Sequence, residues 1–166
     1  MNRPLNVLFL CTHNSARSIL AEAALNQLGG GRFKAFSAGS SPRENQKPNP
    51  FALEVLRQAG ISTDGLRSKS WDEFAAPGAP QMDLIITVCD NAAGEVCPIW
   101  PGHPATAHWG YADPSEMQGS DAHKLDAFRQ TLHAIHRRLE LMLSLPAEKL
   151  ESGALQQSAR ELSRTA

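Results

Sequence analysis

The chain has 166 residues, of which 42% are hydrophobic and 20% charged, and its formal net charge is −1. This length and composition are typical of one globular domain with a substantial core, and the near-neutral charge excludes bulk electrostatic attraction to nucleic acid or to an acidic membrane. No apolar run approaches the roughly 20 residues that span a bilayer, and the first apolar run is too short for a signal peptide. We therefore expect a cytoplasmic monomer with no nucleic-acid or membrane partner.

The first predicted elements are a strand and a helix joined by a tight loop. Apolar residues from Leu5 to Leu10 predict a short buried strand, and a helical period begins after Arg17 and ends at Gly29. The loop between them, Cys11 to Ser18, therefore leads into a helix N-terminus. Backbone N–H groups without helical partners and the positive end of the helix dipole make such a loop a binding site for anions.

Two side chains make this predicted anion site reactive. Cys11 begins the loop, where a positive field favours the thiolate over the thiol. Arg17, six residues further on, can hold two oxygens of a tetrahedral oxyanion. The pattern predicts attack by the Cys11 thiolate on a phosphate-like anion. The alternative is that Cys11 is a buried structural cysteine and Arg17 a surface arginine. The Cys-x5-Arg spacing alone does not exclude this, because it is common by chance.

The rest of the loop also suits an anion site. Asn14 tolerates a left-handed backbone conformation, and the hydroxyls of Ser15 and Ser18 can brace the loop or donate to the sulfur. We expect the oxyanion-binding residues to be Thr12, His13, Asn14, Ser15, Ala16, Arg17 and Ser18.

Further strands and helices alternate along the chain. The remaining strands are predicted at residues 33–38, 84–88 and 106–109. Helices are predicted from Pro50, as one turn at 71–74, and after Ser120 or Asp121. The last helix carries the apolar stripe Leu125, Phe128, Leu132, Ile135, Leu139 and Met142. This order favours right-handed crossovers and a parallel sheet, in a domain at 1–145 followed by a polar tail at 146–166 that is mobile or loosely helical.

The three cysteines are Cys11, Cys89 and Cys97. An odd number in a reducing compartment argues against a disulfide framework, and the separation of Cys89 from Cys97 is unlike a zinc site, so we expect no metal. Two predicted strands end at cysteines, Cys11 and Cys89, and the carboxyl ends of parallel strands share one edge of a sheet. Cys89 and Cys97 are then either small buried hydrophobes or relay thiols that attack the first sulfur adduct and make the reaction a reduction.

Asp113 is the candidate general acid. A thiolate that attacks an oxyanion expels an oxygen leaving group, which needs a proton. Asp113 lies in the turn after the strand at 106–109, where its carboxyl group can overhang the anion loop. The alternative is that Asp113-Pro114 is a turn dipeptide without a chemical role.

Several segments together resemble the cysteine-dependent arsenate reductases, which share the fold of the low-molecular-weight tyrosine phosphatases. These segments are Cys11–Ser18, Ser37–Gly39, Thr87–Asp90, Cys97-Pro98, Trp100-Pro101, His108–Gly110 and Asp113-Pro114. The resemblance runs from about Val7 to Met142. It implies an α/β fold, an open three-layer sandwich with a central, roughly four-stranded parallel sheet, and a phosphatase-like domain at 1–145.

The resemblance also implies a role for each candidate. Cys11 attacks arsenate, Arg17 and the loop amides hold it, and Asp113 protonates the departing oxygen. Cys89 then attacks the Cys11 sulfur, arsenite leaves, and a Cys11–Cys89 disulfide remains. Cys97 resolves it to Cys89–Cys97. An external thiol, thioredoxin or glutathione with glutaredoxin, restores the enzyme, no cofactor is tightly bound, and phosphate and sulfate act as analogues of arsenate.

Three positions depart from the family pattern, and two other functions stay open. His13 stands where glycine is usual, Ala16 stands where cysteine is common, and the Cys89–Cys97 spacing is one residue longer. The first alternative is a low-molecular-weight phosphotyrosine protein phosphatase with incidental cysteines. The second is a non-enzymatic oxyanion-binding module that uses the same loop.

Overall fold

A computed structural model describes residues 4–88, 104–146, 149 and 152–163. Four parallel strands form one sheet in the order β2-β1-β3-β4. The strands are β1 (Leu5–Cys11), β2 (Phe33–Gly39), β3 (Leu84–Thr87) and β4 (Ala105–His108). The predicted parallel sheet of about four strands is confirmed.

Helices cover both faces of this sheet. They are α1 (Arg17–Leu28), α2 (Pro50–Gln58), α3 (Asp72–Ala75), α4 (Asp121–Leu143) and α5 (Ser152–Leu162). One apolar cluster joins one face of the sheet to α1, α2, α4 and α5, and a smaller cluster joins the other face to α3. The three-layer α/β architecture is therefore confirmed. Among the described residues, no helix is both long and apolar enough to cross a membrane.

Local sequence explains why these elements form where they do. Every β1 residue from Val7 to Cys11 is buried, as expected of a central strand covered on both faces. Asn49 caps α2 by accepting a hydrogen bond from the Phe51 N–H, and Ser120 caps α4 in the same way. The predicted stripe of α4 is buried from Phe128 to Met142.

The order of the strands places a crevice beyond the carboxyl end of β1. The chain goes from β1 to β2 on one side, whereas β3 pairs with β1 on the other side. Ligands of open parallel sheets bind at such a switch in strand order. The Val88 N–H donates to the Leu10 carbonyl at 2.9 Å, so the chain reaches this edge just before Cys89. Cys89 and Cys97, for which relay roles are predicted, lie outside the described residues.

The segment after Pro146 differs from the expectation of a mobile or loosely attached tail. It contains α5, whose residues Leu155, Ala159 and Leu162 are buried in the main core. The apolar residues are few, but they share one helical face, and that face packs against β4. The helix is therefore docked on the domain.

Candidate active site

A left-handed residue shapes the loop between β1 and α1. Asn14 has φ of 56°, as the sequence predicts, and is fully buried. Its Nδ2 donates to Ser18 Oγ at 2.8 Å and to Ser37 Oγ at 2.9 Å. Its Oδ1 accepts from the Lys69 N–H at 3.0 Å. The Asn14 side chain thus ties the loop to α1, to β2 and to the segment before α3, which fixes the loop conformation.

Neighbouring segments also hold the loop by its carbonyl groups. Four hydrogen bonds do this: Ser40 N–H to Cys11 O (3.0 Å), Ser41 N–H to Thr12 O (2.8 Å), Ser68 Oγ to Asn14 O (2.6 Å) and Asn49 N–H to Ser15 O (2.8 Å). In a trans peptide the carbonyl and the following N–H point in opposite directions. Because these carbonyls are bonded to surrounding segments, the N–H groups that follow them point into the loop, as an anion site requires.

Gly39 is required where β2 ends against the loop. A Cβ at this position would lie 2.6 Å from the Thr12 carbonyl oxygen and 3.0 Å from the Asn14 nitrogen. Any side chain here would push the loop out of position.

The N-terminus of α1 has no side-chain cap. Its N-cap residue is Ala16, with no capping hydrogen bond, and no acidic residue lies in the first turn. Helix N-termini normally acquire a side-chain oxygen or a ligand at this place. An anion in the loop would supply both the missing acceptor and the negative charge that favours the helix dipole.

Arg17 and Asp113 lie together beyond the end of β1, the strand whose last residue is Cys11. Cys11 is the last residue of β1 and is 5% exposed. Arg17 is the first residue of α1; its Nη1 donates to the Tyr111 carbonyl at 2.9 Å, and its Nη2 lies 3.5 Å from Asp113 Oδ2. The Ser115 N–H and Oγ donate to Asp113 Oδ1 at 2.9 and 2.7 Å. The structure thus brings the predicted acid beside the predicted anion-binding arginine.

The other predicted loop residues have different surroundings. Ser18 is fully buried and braces Asn14, whereas Thr12, His13 and Arg17 are only partly buried. Ala16 is buried at the helix start. Within the described segments, no group of three or more histidine, cysteine or acidic residues could hold a metal ion.

A buried ionic network behind the loop is not predicted by the sequence patterns. Ser37 accepts from Asn14 and donates to Glu22 Oε1, and Lys69 Nζ lies 3.8 Å from the same carboxylate oxygen. Burial raises the pKa of Glu22, and Lys69 opposes that rise. Burial lowers the pKa of Lys69, and Glu22 opposes that fall. One signal in the sequence was an acidic residue between Ala21 and Ala23, in the core-facing part of α1.

Comparison with known sequences identifies related proteins. The family model described as low molecular weight phosphotyrosine protein phosphatase matches residues 6–154. A protein named arsenate reductase from Bacillus subtilis (strain 168) is 35% identical over 134 residues, which cover 81% of this chain and 91% of that protein. An arsenate reductase from Halalkalibacterium halodurans is 34% identical over 134 residues, with the same coverage of both chains.

The similar solved structures are also arsenate reductases and low molecular weight phosphatases. The crystal structure of arsenate reductase from Archaeoglobus fulgidus DSM 4304 matches with a TM-score of 0.64 and 27% identity, covering 84% of this chain and 99% of that one. The low molecular weight protein tyrosine phosphatase from T. tengcongensis matches in fold, with a TM-score of 0.65 and 24% identity over 85% of this chain and 99% of that one. The chain belongs to the low molecular weight phosphotyrosine protein phosphatase family, and its resemblance to the arsenate reductases of that fold is confirmed.

Proposed function

We propose that the protein is an arsenate reductase in which Cys11 is the nucleophile. The observation that supports the proposal is the contact of Arg17 with Asp113 beyond the strand that ends at Cys11, beside a loop whose carbonyl groups are bonded to surrounding segments. The similarity to proteins named arsenate reductase, at 35% identity, supports this chemistry over others available to the fold.

The first step forms a bond between sulfur and arsenic. The loop N–H groups and Arg17 bind arsenate, and the positive field of the α1 N-terminus keeps Cys11 as a thiolate. The thiolate attacks arsenic, and one arsenate oxygen leaves as water with a proton from Asp113. Arg17 contacts both the Tyr111 carbonyl and Asp113, so the same guanidinium can orient the anion and the acid.

The second step transfers two electrons. The Cys89 thiolate attacks the Cys11 sulfur, the sulfur–arsenic bond breaks, and its electron pair stays on arsenic, so arsenic is reduced as arsenite leaves. The two sulfurs are oxidised to a Cys11–Cys89 disulfide. The bond from the Val88 N–H to the Leu10 carbonyl supports this pairing, because it anchors the residue before Cys89 beside the strand that ends at Cys11.

An external thiol completes the proposed cycle. Cys97 attacks Cys89, the disulfide moves to Cys89–Cys97, and Cys11 is released as a thiolate. Thioredoxin, or glutathione with glutaredoxin, then reduces the second disulfide in a reducing compartment such as the cytoplasm. This scheme needs no tightly bound cofactor or metal and works in a monomer.

Mass mapping of disulfides after a single turnover with arsenate tests the proposal. We expect Cys11–Cys89 to accumulate in Cys97→Ser and Cys89–Cys97 to accumulate in the wild type. We expect Cys11→Ser to lose turnover by at least about 10³-fold while still binding sulfate, because the nucleophile is removed and the loop is kept. Arsenate turnover without any of these bridges would exclude the relay.

The family match favours phosphatase activity as the second candidate function. Hydrolysis of an aryl phosphate needs Cys11, Arg17 and Asp113 but no second thiol. We expect Cys89→Ser to lose arsenate reduction and to keep any hydrolysis. Hydrolysis without arsenate reduction in the wild type would make the protein a phosphatase. Sulfate binding without turnover of either substrate would leave the oxyanion-binding module.

A further inference from the structure

We propose that α5 is a positioning element of the active site and acts on Arg17 and Asp113 through Trp109. The inference rests on the proposed role of Asp113 as the general acid. It concerns a part of the chain that the family model does not cover, because that model ends at residue 154. The residues of α5 that contact β4 and Trp109 are Gln156, Ala159 and Arg160, all beyond that point.

α5 attaches to the sheet along β4. β4 is the last strand in the order of the sheet, and in the described part of the chain no further strand pairs with its outer side. The Thr106 N–H donates to Gln156 Oε1 at 3.1 Å, and Arg160 Nε donates to the Thr106 carbonyl at 3.0 Å. Arg160 Nη2 also donates to Thr106 Oγ1 at 3.2 Å. These side chains take the place of a fifth strand and fix α5 at one position along β4.

α5 also contacts Trp109, the residue after β4. Trp109 is fully buried, and its indole Nε1 donates to the Ala159 carbonyl at 2.8 Å. Ala159 lies in the last turn of α5, where helix carbonyls lack helical partners. The next N–H in line, that of Ser163, bonds to the Arg160 carbonyl at 3.2 Å instead. The indole hydrogen bond thus gives a partner both to a carbonyl at the end of α5 and to the buried indole N–H at the start of the segment that carries Asp113.

Contacts within the protein connect Trp109 to the catalytic residues. The Arg138 guanidinium of α4 lies 5.6 Å from the centre of the Trp109 ring and 5.0 Å from that of Tyr111, so the two rings share one cation. The Tyr111 carbonyl accepts from Arg17 Nη1 at 2.9 Å, and Asp113 follows two residues later. A displacement of Trp109 would therefore move the groups that hold Arg17 and carry the acid.

Two sets of variants and a matched control test this inference. Trp109→Phe keeps an aromatic side chain, although a smaller one, and removes the indole N–H that donates to Ala159. Gln156→Ala/Arg160→Ala removes the bonds to Thr106. The control, Gln157→Ala/Glu161→Ala, changes two exposed residues of α5 whose described bond is to each other. Thermal melting first establishes that each variant is folded at the assay temperature. We expect kcat/KM for arsenate to fall about tenfold in the first two variants, because small displacements of catalytic groups cost this much, and to stay unchanged in the control.

A double-mutant cycle separates positioning from general destabilisation. In an Asp113→Asn background, the Trp109→Phe and Gln156→Ala/Arg160→Ala changes should lower the remaining kcat at saturating arsenate by less than about twofold, because the acid they position is already absent and saturation removes the effect on anion binding by Arg17. Full additivity of either change with Asp113→Asn would overturn the inference. With Asp113 intact, a kcat/KM of the test variants equal to that of the control would also overturn it.

A second readout separates this inference from the proposed function. Sulfate protection of Cys11 against alkylation measures anion binding by Arg17 and does not depend on arsenate reduction. We expect the sulfate concentration for half protection to rise several-fold in the two test variants and not in the control. If the wild type fails to reduce arsenate, the proposed function fails, and this measurement alone decides the inference. Unchanged protection in the test variants would then overturn it.

Discussion

At the scale of single residues, Asn14 organises the site more than any catalytic group does. Its backbone is left-handed, and its amide group contacts Ser18, Ser37 and the Lys69 backbone. Asparagine can meet both demands, since it tolerates this conformation better than other residues with a Cβ and offers both donors and an acceptor.

Asn14→Ala and Asn14→Gly separate these two contributions. We expect Asn14→Ala to lower the free energy of unfolding by about 3–4 kcal/mol, because it leaves buried polar groups unsatisfied and strains the left-handed backbone. Asn14→Gly should cost about 1 kcal/mol less, because glycine adopts this conformation without strain. Urea titration of both variants measures the difference. Equal losses would show that the backbone conformation contributes nothing.

At the scale of elements, α1 contributes both its N-terminus and a buried charge. Its first residue is Arg17, at the anion loop. Further along the same helix, Glu22 contacts Ser37 and Lys69. Burial shifts the pKa of Glu22 up and that of Lys69 down, so for both groups the loss of hydration outweighs their attraction at 3.8 Å. The network connects α1 and β2 behind the loop. It makes the contribution of this contact to stability depend on pH.

This buried carboxyl gives a pH dependence of stability with a definite sign. Because the pKa of Glu22 is higher in the folded protein than its ordinary 4.5, the folded state holds the proton more tightly. Its contribution to stability is present below about pH 4.5 and is lost as pH rises toward the folded pKa. In Glu22→Gln this loss should disappear, as measured by urea unfolding across this range.

The matched control is Glu73→Gln. Glu73 is paired with Arg67 near the surface, and its hydrogen bond to Arg67 lowers the pKa of Glu73. Glu73→Gln should therefore retain the loss of stability that Glu22 causes. Identical pH profiles for the wild type and Glu22→Gln would contradict the prediction.

At the scale of the whole molecule, the sheet and its covering helices place the site. β1 lies between β2 and β3, so the loop after it opens at the switch in strand order. β4 is the last strand of the order, and α5 covers it through hydrogen bonds with Thr106 and Trp109. The C-terminal segment is thus part of the folded domain.

Truncation after Leu145 tests this view of the molecule. The change removes the buried residues Leu155, Ala159 and Leu162 and exposes the edge of β4. We expect the Tm to fall by at least about 5 °C, because even ~1 kcal/mol lowers the Tm of a domain this size by a few degrees. We also expect concentration-dependent association, since an uncovered edge strand can pair with another chain. A monomer with unchanged Tm on calorimetry and gel filtration would contradict both.

Local patterns predicted most of the elements and the core of the site. The change of period at Arg17, the helix starts at Pro50 and after Ser120, and the stripe of α4 are local features, and the structure reproduces them. The ion pair of Glu22 with Lys69 could not be predicted, because it joins residues far apart in sequence. The docking of α5 was missed for the same reason, since three apolar residues indicate burial only once β4 supplies the surface.

The depth of Cys11 determines which reductants can reach it. With 5% of its surface exposed, Cys11 offers little surface to the dithiol of another folded protein, and we expect no direct contact between the two. Electrons from a protein donor must then enter through a more accessible thiol, whereas a tripeptide-sized donor can act on the adduct itself. Burial of the nucleophile would thus protect the arsenic adduct from large competing thiols and make a shuttle obligatory for any macromolecular source of electrons.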